Sequence, residues 1–252
     1  MSSLKDRIFI VSGASRGIGR AVTDALLARG ARVAALARNV SALEASTSPD
    51  ILPLAVDITD RANVQGAIDT VLARWKRIDG LVNNAGAALP SPLAEVSPEQ
   101  ARLQFDVNVF GTLYLCQAVI PAMRRQGGGR IVNIGSATVR HMGEFAHMGI
   151  YGGTKAAVER MTFELREEVK ADNIGVTLFS PGAALTGFNE GWDPGAMGAA
   201  FQAWLDLGKN SDGAMDPAPV GEAIARCFEL PEGMAYDFVE LRPNRPTPKA
   251  LF

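Results

Sequence analysis

Tyr151 and Lys155 lie four residues apart, in the segment Tyr151-Gly152-Gly153-Thr154-Lys155, and together could exchange a proton with a substrate. On a helix this spacing places both side chains on one face. A phenol with a pKa of about 10 is a poor acid or base at neutral pH, and a neighbouring ammonium favours its ionised form. The pair therefore predicts general acid/base chemistry, although tyrosine and lysine at this spacing also pair on ordinary helix surfaces.

A glycine-rich segment, residues 12–19, follows the first apolar run and precedes the first helical pattern. Glycines at such a junction let the backbone turn tightly and approach a pyrophosphate, and the free N–H groups of the helix N-terminus point at the phosphate oxygens. Glycine also marks ordinary tight turns, but the position between strand and helix favours phosphate binding. The predicted cofactor contacts are Gly13, Ser15, Arg16, Gly17, Ile18 and Gly19.

The second apolar run ends at Ala37-Arg38-Asn39. An acidic residue at this point would accept hydrogen bonds from an adenosine ribose and select NAD. Arg38 stands there instead, and a guanidinium pairs with a 2′-phosphate. We therefore predict NADP(H) as the cofactor, with Arg16 as a second cation. The alternative is that Arg38 is a solvated charge at a strand end.

Short apolar runs alternate with helical patterns along the chain. Such runs are typical of strands covered on both faces, and the alternation predicts a parallel sheet with right-handed crossovers. With a last strand expected in residues 235–243, the predicted fold is α/β: a single doubly wound Rossmann-type domain over residues 1–252, with a parallel sheet of about seven strands. The six earlier runs are residues 7–11, 32–36, 51–56, 80–83, 130–134 and 175–179.

Two segments depart from this alternation. Residues 107–123 are apolar on nearly all sides of a helix, so we expect burial on more than one face, by a second subunit rather than as an internal helix. Residues 187–219 are rich in glycine, aspartate and proline yet contain many large apolar side chains, which predicts a lid over a substrate pocket. The alternative for the second segment is a small packed helical insertion away from any ligand.

The composition narrows the class of function. A net charge of −2 and a pI of about 5.8 give no broad basic surface for nucleic acid or anionic membrane, so a small-molecule substrate is expected. Cys116 and Cys227 match no metal or redox spacing and are predicted to be buried or inert thiols. The residues before Arg7 lack an export signal, and we expect a cytoplasmic protein.

Further motifs occur in a fixed order along the chain: Asn83-Asn84-Ala85-Gly86, Asn108, Ser136, the Tyr151/Lys155 pair and Ser180-Pro181-Gly182. With the glycine-rich segment, they make the sequence resemble the short-chain dehydrogenase/reductase family from Lys5 to about Pro243. The resemblance implies that Tyr151 is the acid/base, that Lys155 holds the nicotinamide ribose and lowers the Tyr151 pKa, and that Asn108 anchors a water relay. It also implies cofactor contacts at Asp57, Ile58, Asn84, Ala85, Gly86, Tyr151, Lys155, Pro181, Gly182 and Thr186.

The serine is the point where the sequence departs from the family pattern. Ser136 follows the fifth apolar run, as the family's serine does, but Thr138 has the usual separation from the tyrosine. We expect Ser136 to donate to the substrate oxygen, because strand context fixes a position better than counting across a variable loop. His141, Glu144 and His147 lie in that loop without a common ligand spacing, so no metal is predicted. Arg140 or a histidine could instead line the pocket and meet a polar or anionic substrate group; the alternative is an ordinary solvated loop.

The expected activity is NADP(H)-dependent hydride transfer between the nicotinamide and a carbonyl or secondary alcohol of the ketone, aldehyde or 3-hydroxy/3-oxo acid type. The Arg242-Pro243 ending is similar to that of bacterial NADP-dependent 3-hydroxy acid and related reductases, and it lacks the Asp-Gly-Gly of the 3-oxoacyl-carrier-protein reductases. The alternatives are a non-catalytic NADP(H)-binding sensor and a 3-oxoacyl thioester reductase. The resemblance also implies a homotetramer, or a homodimer, joined through paired helices.

Overall fold

Seven parallel strands form the central sheet of this protein. The computed structural model describes residues 4–45, 48–141, 145–208, 210–211, 213–245 and 247–248. Its strands are β1 (Ile8–Ser12), β2 (Arg32–Ala37), β3 (Ile51–Ala55), β4 (Gly80–Asn83), β5 (Gly129–Ile134), β6 (Ile174–Pro181) and β8 (Phe238–Leu241). Their order in the sheet is β3-β2-β1-β4-β5-β6-β8, so the strand order reverses between β1 and β4, as in a doubly wound sheet. The predicted α/β fold is thereby confirmed.

Helices cover both faces of the sheet. They are α1 (Gly17–Leu27), α2 (Ser41–Glu44), α3 (Arg61–Trp75), α4 (Pro98–Phe105), α5 (Gly111–Arg125), α6 (Gly149–Val169), α7 (Pro194–Asp206) and α8 (Pro217–Arg226). Alternate residues of β1 face opposite sides: Phe9 and Val11 join a core with α1 and α8, whereas Ile8 and Ile10 join a core with α3 and α5. This double burial explains why the strands appear in the sequence as continuous apolar runs.

A π-helical turn, Asp106–Phe110, joins α4 to α5 and buries Asn108. The rest of the chain covers α5 on one face only. Phe110 in the π-helical turn and Leu103 on α4 are each 43% exposed. The expected burial on more than one face is therefore not supplied by this chain alone. The continuous helical segment Pro98–Arg125 is long and apolar enough for a membrane span, but half of its most apolar stretch is buried in the fold, as in the core helix of a soluble protein.

The predicted lid segment is partly helical. It contains α7 and a two-residue strand, β7 (Asn210–Ser211), which pairs with β9 (Thr247–Pro248). The indole of Trp204 on α7 donates to the carbonyl oxygen of Ala146 at 2.6 Å and meets the Phe145 ring edge-on at 5.2 Å. These contacts attach α7 to the loop that precedes α6. Its action as a lid stays a prediction.

Candidate active site

Helix α6 carries the tyrosine and lysine on one face, as their spacing predicts. The ammonium nitrogen of Lys155 lies 5.9 Å from the centre of the Tyr151 ring. Lys155 is 4% exposed, and its Nζ donates to the carbonyl oxygen of Ile134, at the end of β5, at 2.8 Å. The lysine therefore connects the tyrosine helix to the carboxyl edge of the sheet, which is where ligands bind in open α/β folds.

Ser136 completes this group from the turn after β5. Its hydroxyl is hydrogen-bonded to Tyr151, and its Oγ accepts from the hydroxyl of Thr138 at 2.9 Å. Ser136 and Thr138, the two candidates for the donor to the substrate oxygen, are therefore hydrogen-bonded to each other. Ser136 also bonds to the Tyr151 phenol, whereas Thr138 donates to Ser136. This arrangement favours Ser136 as the group that reaches a substrate oxygen.

Burial shifts the pKa values of both titratable groups. It raises the pKa of the Tyr151 phenol to about 12, and the hydrogen bond from Ser136 offsets part of that rise. It also lowers the pKa of the Lys155 ammonium to about 8. The resemblance implies a lowered Tyr151 pKa, but here desolvation dominates, since the ammonium is directed at Ile134 rather than at the phenol oxygen. At neutral pH the phenol therefore holds its proton and can donate it.

Asn108 is held in the π-helical turn by three hydrogen bonds. Its Oδ1 accepts from the backbone N–H of Ala87 at 2.7 Å, and its Nδ2 donates to the Ala87 carbonyl at 2.8 Å and to Thr154 Oγ1 at 2.9 Å. A Cβ atom on Gly86 would lie 3.3 Å from Asn108 Oδ1 and 3.8 Å from Lys155 Nζ. The asparagine and the lysine consequently border the same small space, which the missing side chain of Gly86 leaves open.

The glycine-rich turn is packed too closely to admit side chains. Gly13 and Gly17 both have positive φ angles, of 65° and 55°. A Cβ on Gly13 would lie 2.9 Å from Ala85 Cα, and a Cβ on Gly19 would overlap the Gly13 carbonyl oxygen. Asn84 fastens this turn, because its Nδ2 donates to the carbonyl oxygens of Ser12 and Gly13 at 3.0 and 3.3 Å.

Helix α1 begins at this turn without a cap. Its N-cap residue, Arg16, makes no capping hydrogen bond, and its first turn has no acidic residue, whereas α3, α4, α7 and α8 begin with capping aspartate or serine side chains. Uncapped N–H groups at a helix N-terminus attract phosphate. Thr186, in the loop after β6, crowds Gly17, while Pro181 and Gly182 lie at the end of β6, so this loop closes over the turn. Ser15 and Ile18 lie in the same turn.

Arg16 forms an ion pair with Glu190 of the lid segment. A surface cavity of about 440 Å³ lies next to this turn, lined by Gly17 and Thr186 together with residues of α1 and α8. Tyr151 and Lys155 do not line it, so we do not take this cavity as the place of the chemistry.

Arg38 is exposed directly after β2, as a cation for a 2′-phosphate would be. It lies near Asp57, whose pKa is lowered mainly by hydrogen bonds from the backbone and hydroxyl of Thr59 and, to a lesser degree, by the charge of Arg38. The side chain of Ile58 is buried against Gly111 at the start of α5. Of the predicted cofactor contacts Asp57 and Ile58, Ile58 thus has its side chain in the core.

The loop after Ser136 engages partners within the chain. Arg140 pairs with Glu159 at 2.5 Å and stacks on the Phe238 ring, and His141 Nε2 lies 2.7 Å from Glu240. Arg140 and His141, which the sequence suggests could meet an anionic substrate group, are thus paired with carboxylates of the same chain. Glu144 lies outside the described residues. Cys116 and Cys227 are buried as predicted, and burial raises the pKa of each thiol to about 12.

Three contributors have no assigned role in the sequence interpretation. The Ser12 hydroxyl accepts from the backbone N–H groups of Asn84 and Ala85 and so anchors the glycine-rich turn. Phe188 contacts the Tyr151 ring, and Thr154 bonds to Asn108. For Ser12 and Thr154 the only signal is a place inside a motif, and Phe188 gives none beyond its apolar character.

Comparisons with known proteins agree with this geometry. A family model described as short chain dehydrogenase matches residues 7–196. Sorbitol dehydrogenase from Cereibacter sphaeroides is 37% identical over 194 residues, which cover 75% of this chain and 74% of that protein. A short-chain dehydrogenase structure from Streptomyces avermitilis is 31% identical, with a TM-score of 0.80 over 94% of this chain and 88% of the other. The closed form of serine dehydrogenase complexed with NADP+ is 29% identical, with a TM-score of 0.82 and 94% coverage of each chain.

The family model spans well over half of the chain, and the sheet order and the Tyr/Lys pair agree with it. The protein therefore belongs to the short-chain dehydrogenase/reductase family of oxidoreductases.

Proposed function

We propose that this protein is an NADP(H)-dependent oxidoreductase that interconverts a small carbonyl compound and its alcohol. The observation that carries the proposal is the grouping of Ser136, Tyr151 and Lys155 at the end of β5, with Asn108 bordering the lysine. A nicotinamide-binding sensor would need the glycine-rich turn but not these four side chains. Their joint placement favours catalysis over the sensor alternative.

The side chains of the site carry out the proton transfers of the reaction. A bound nicotinamide cofactor would exchange the hydride with the substrate carbon. Tyr151 gives its proton to the substrate oxygen during reduction, and Ser136 donates a hydrogen bond to the same oxygen as negative charge develops. Lys155 and Asn108 then return a proton from solvent to the phenol. The Tyr151 phenol is protonated at neutral pH, as a proton donor in the reduction must be, although the burial that raises its pKa to about 12 makes it a weaker acid.

The residues present fit two parts of NADP(H), its pyrophosphate and its 2′-phosphate. The uncapped α1 terminus and the close-packed glycines leave room for a pyrophosphate and no room for side chains. Arg38 stands where an acid would select NAD, and one similar structure, that of a serine dehydrogenase, is complexed with NADP+. These observations support NADP(H) rather than NAD(H).

We further propose a homotetramer, or a homodimer, in the cytoplasm. Leu103, Phe105 and Phe110 are exposed apolar side chains on α4 and the π-helical turn, and a second copy of the chain would cover them. The unpaired thiols of Cys116 and Cys227 fit a reducing compartment. Light scattering at micromolar concentration tests the assembly, and a monomer would contradict it.

The deciding experiment is steady-state oxidation of NADPH and of NADH against a panel of ketones, aldehydes, 3-hydroxy and 3-oxo acids and 3-oxoacyl thioesters. We expect turnover with NADPH and one chemical class, which also identifies the substrate type. Turnover with thioesters alone would favour the 3-oxoacyl thioester reductase alternative. Tight NADPH binding with no turnover across the panel would favour the sensor.

A further inference from the structure

Three segments meet around the start of α6, at the carboxyl edge of the sheet: residues 84–97 after β4, residues 135–148 after β5 and residues 182–216 after β6. Leu93 of the first segment packs against Gly149, since a Cβ on that glycine would lie 2.8 Å from Leu93 Cδ2. Phe188 of the third segment packs on the Tyr151 ring. Two of the three segments therefore bring apolar side chains to the turn of α6 that carries the acid/base.

The second and third segments meet through aromatic rings. Phe145, four residues before α6 begins, lies edge-on to Trp204 at 5.2 Å. The indole N–H of Trp204 is engaged by the Ala146 carbonyl oxygen, so the ring itself offers apolar surface. All three segments thus contribute apolar groups around the start of α6.

Positive charges beside Ser136 are engaged by carboxylates of the chain. Arg140 pairs with Glu159 on α6, and His141 Nε2 lies 2.7 Å from Glu240. Arg242 Nη1 in turn lies 2.6 Å from His141 Nδ1. In the described part of the three segments, Arg140 is the only lysine or arginine. A substrate carboxylate would have to replace Glu159 to reach its guanidinium.

The three segments are also strongly acidic. Their sequence contains seven aspartates and glutamates, five of them in residues 182–216, against one arginine and one lysine, a formal charge of −5 with histidines neutral. The lysine, Lys209, lies outside the described residues. The whole chain carries only −2, so negative charge is concentrated at this edge. Such a field disfavours the approach of an anion.

We propose that the substrate of this site is an uncharged ketone or aldehyde with a bulky apolar group, or the corresponding alcohol, and that a carboxylate on the substrate is disfavoured. This inference rests on the proposed function and narrows it to one substrate class. Ser136 and Tyr151 bind the oxygen, while Phe188 and Leu93, which is 66% exposed, offer apolar surface to the rest of the molecule.

The test uses methyl ketones that differ only in the group at the end of a two-carbon chain. Benzylacetone ends in a phenyl ring, levulinate in a carboxylate, and methyl levulinate in the neutral ester of that carboxylate. We expect kcat/KM to be about 100-fold higher for benzylacetone than for levulinate, and the ester to recover about tenfold of the difference. Equal values for ester and acid, or a preference for levulinate or for an ammonium-bearing ketone of the same length, would overturn the inference.

Substitutions at Leu93 place the preference on the structure. Because Leu93 is exposed, they should leave the fold intact. We expect Leu93→Ala to lower kcat/KM for benzylacetone about threefold to tenfold, and Leu93→Lys to reduce the ratio of benzylacetone to levulinate about tenfold, since a positive charge replaces apolar surface. Met234→Ala is the control: Met234 is 57% exposed and precedes β8, at the opposite edge of the sheet. An unchanged ratio in Leu93→Lys would contradict the inference.

Binding without turnover separates this inference from the proposed function. Protein saturated with NADP+ cannot reduce a ketone, so ligand-observed NMR measures the Kd of each ketone in a complex that does not react. We expect the Kd for benzylacetone to be at least about tenfold below that for levulinate. Equal or tighter binding of levulinate, or no binding of benzylacetone, would overturn the inference. If the preference is present but no ketone is reduced, the inference holds and the proposed function fails.

Discussion

The ring of Phe188 lies 5.7 Å from the ring of Tyr151, with the two planes tilted by 59°. Phe188 comes two residues after Thr186, which crowds Gly17, so one short loop contacts both the phenol and the glycine-rich turn. A substrate that reaches Tyr151 must therefore pack against the Phe188 ring or displace it.

Phe188→Ala should weaken substrate binding more than chemistry. Loss of the aromatic wall is expected to raise KM about tenfold while kcat changes less, because the proton-transferring groups stay in place. Steady-state kinetics with the best substrate of the panel measures both constants. Leu207→Ala, at the exposed end of the same segment, is the control and should change neither. A fall in kcat at constant KM would show that Phe188 acts in the chemical step instead.

Tyr151→Phe should bind NADPH almost normally and lose about 10³-fold or more in kcat, since it keeps the ring and removes the hydroxyl that gives its proton to the substrate oxygen. Fluorescence titration of NADPH and steady-state rates separate the two effects. Tyr114→Phe, on α5 and stacked on Phe110, is the matched control. The assigned role would be lost if Tyr151→Phe turned over as fast as Tyr114→Phe.

Arg38→Ala should raise the Kd for NADPH about 10- to 100-fold and leave the Kd for NADH nearly unchanged, because only NADPH carries the 2′-phosphate. Calorimetric titrations at low and high salt measure both, and the advantage of NADPH should shrink as salt screens an exposed charge pair. Arg125→Ala, an exposed arginine at the end of α5, serves as the control. Equal weakening of both cofactors would argue against phosphate recognition by Arg38.

Lys155→Met should alter how stability depends on pH. Burial lowers the Lys155 pKa from 10.5 to about 8, so the unfolded chain binds more protons between these values, and the resulting penalty is fully present below about pH 8. The penalty disappears as the pH rises towards 10.5. We therefore subtract the unfolding free energy of wild type from that of the variant at each pH. This difference should be about 2 kcal/mol more in favour of the variant at pH 7 than at pH 10. Urea unfolding at both pH values measures it, and a pH-independent difference would contradict the burial of a titrating ammonium.

Gly86→Ala should lower kcat about tenfold, because its Cβ would press on Asn108 Oδ1 and fill the space that Lys155 borders. Gly153→Ala is the control on α6, where a Cβ would meet nothing within 4 Å. That control should keep its activity and gain about 0.5–1 kcal/mol of stability, as alanine favours a helix over glycine. Parallel rate and thermal unfolding measurements test both, and unchanged kcat in Gly86→Ala would mean that the space plays no part.

The sheet could be predicted from the sequence because each strand is buried on both faces. Phe9 and Ile10 face opposite cores, so each strand appears in the sequence as an unbroken apolar run rather than as a helical pattern. The observed strands begin and end within a few residues of the predicted ones. The glycine-rich turn could also be predicted, because its positive φ angles and close contacts accept few other residues.

The contacts that hold the site together could not be predicted. Thr154 and Phe188 contact residues that are far from them in the sequence, and neither residue type by itself indicates its partner. The pKa of Tyr151 is a similar case: spacing to Lys155 suggests a lowered value, but burial, which the sequence does not quantify, raises it to about 12. Position in three dimensions decides which of two opposing effects is larger.

The π-helical turn Asp106–Phe110 accommodates one residue more than a continuous α-helix would. Because the turn absorbs its extra residue locally, deleting one residue there would let it relax into regular α-helix while the two flanking helices keep their facing. Asn108 would then leave the bulged position from which it bonds to Ala87, although its own side chain had not changed. The site therefore depends on the number of residues in this turn as much as on their identity, so a change in chain length could silence the protein while every motif stayed in place.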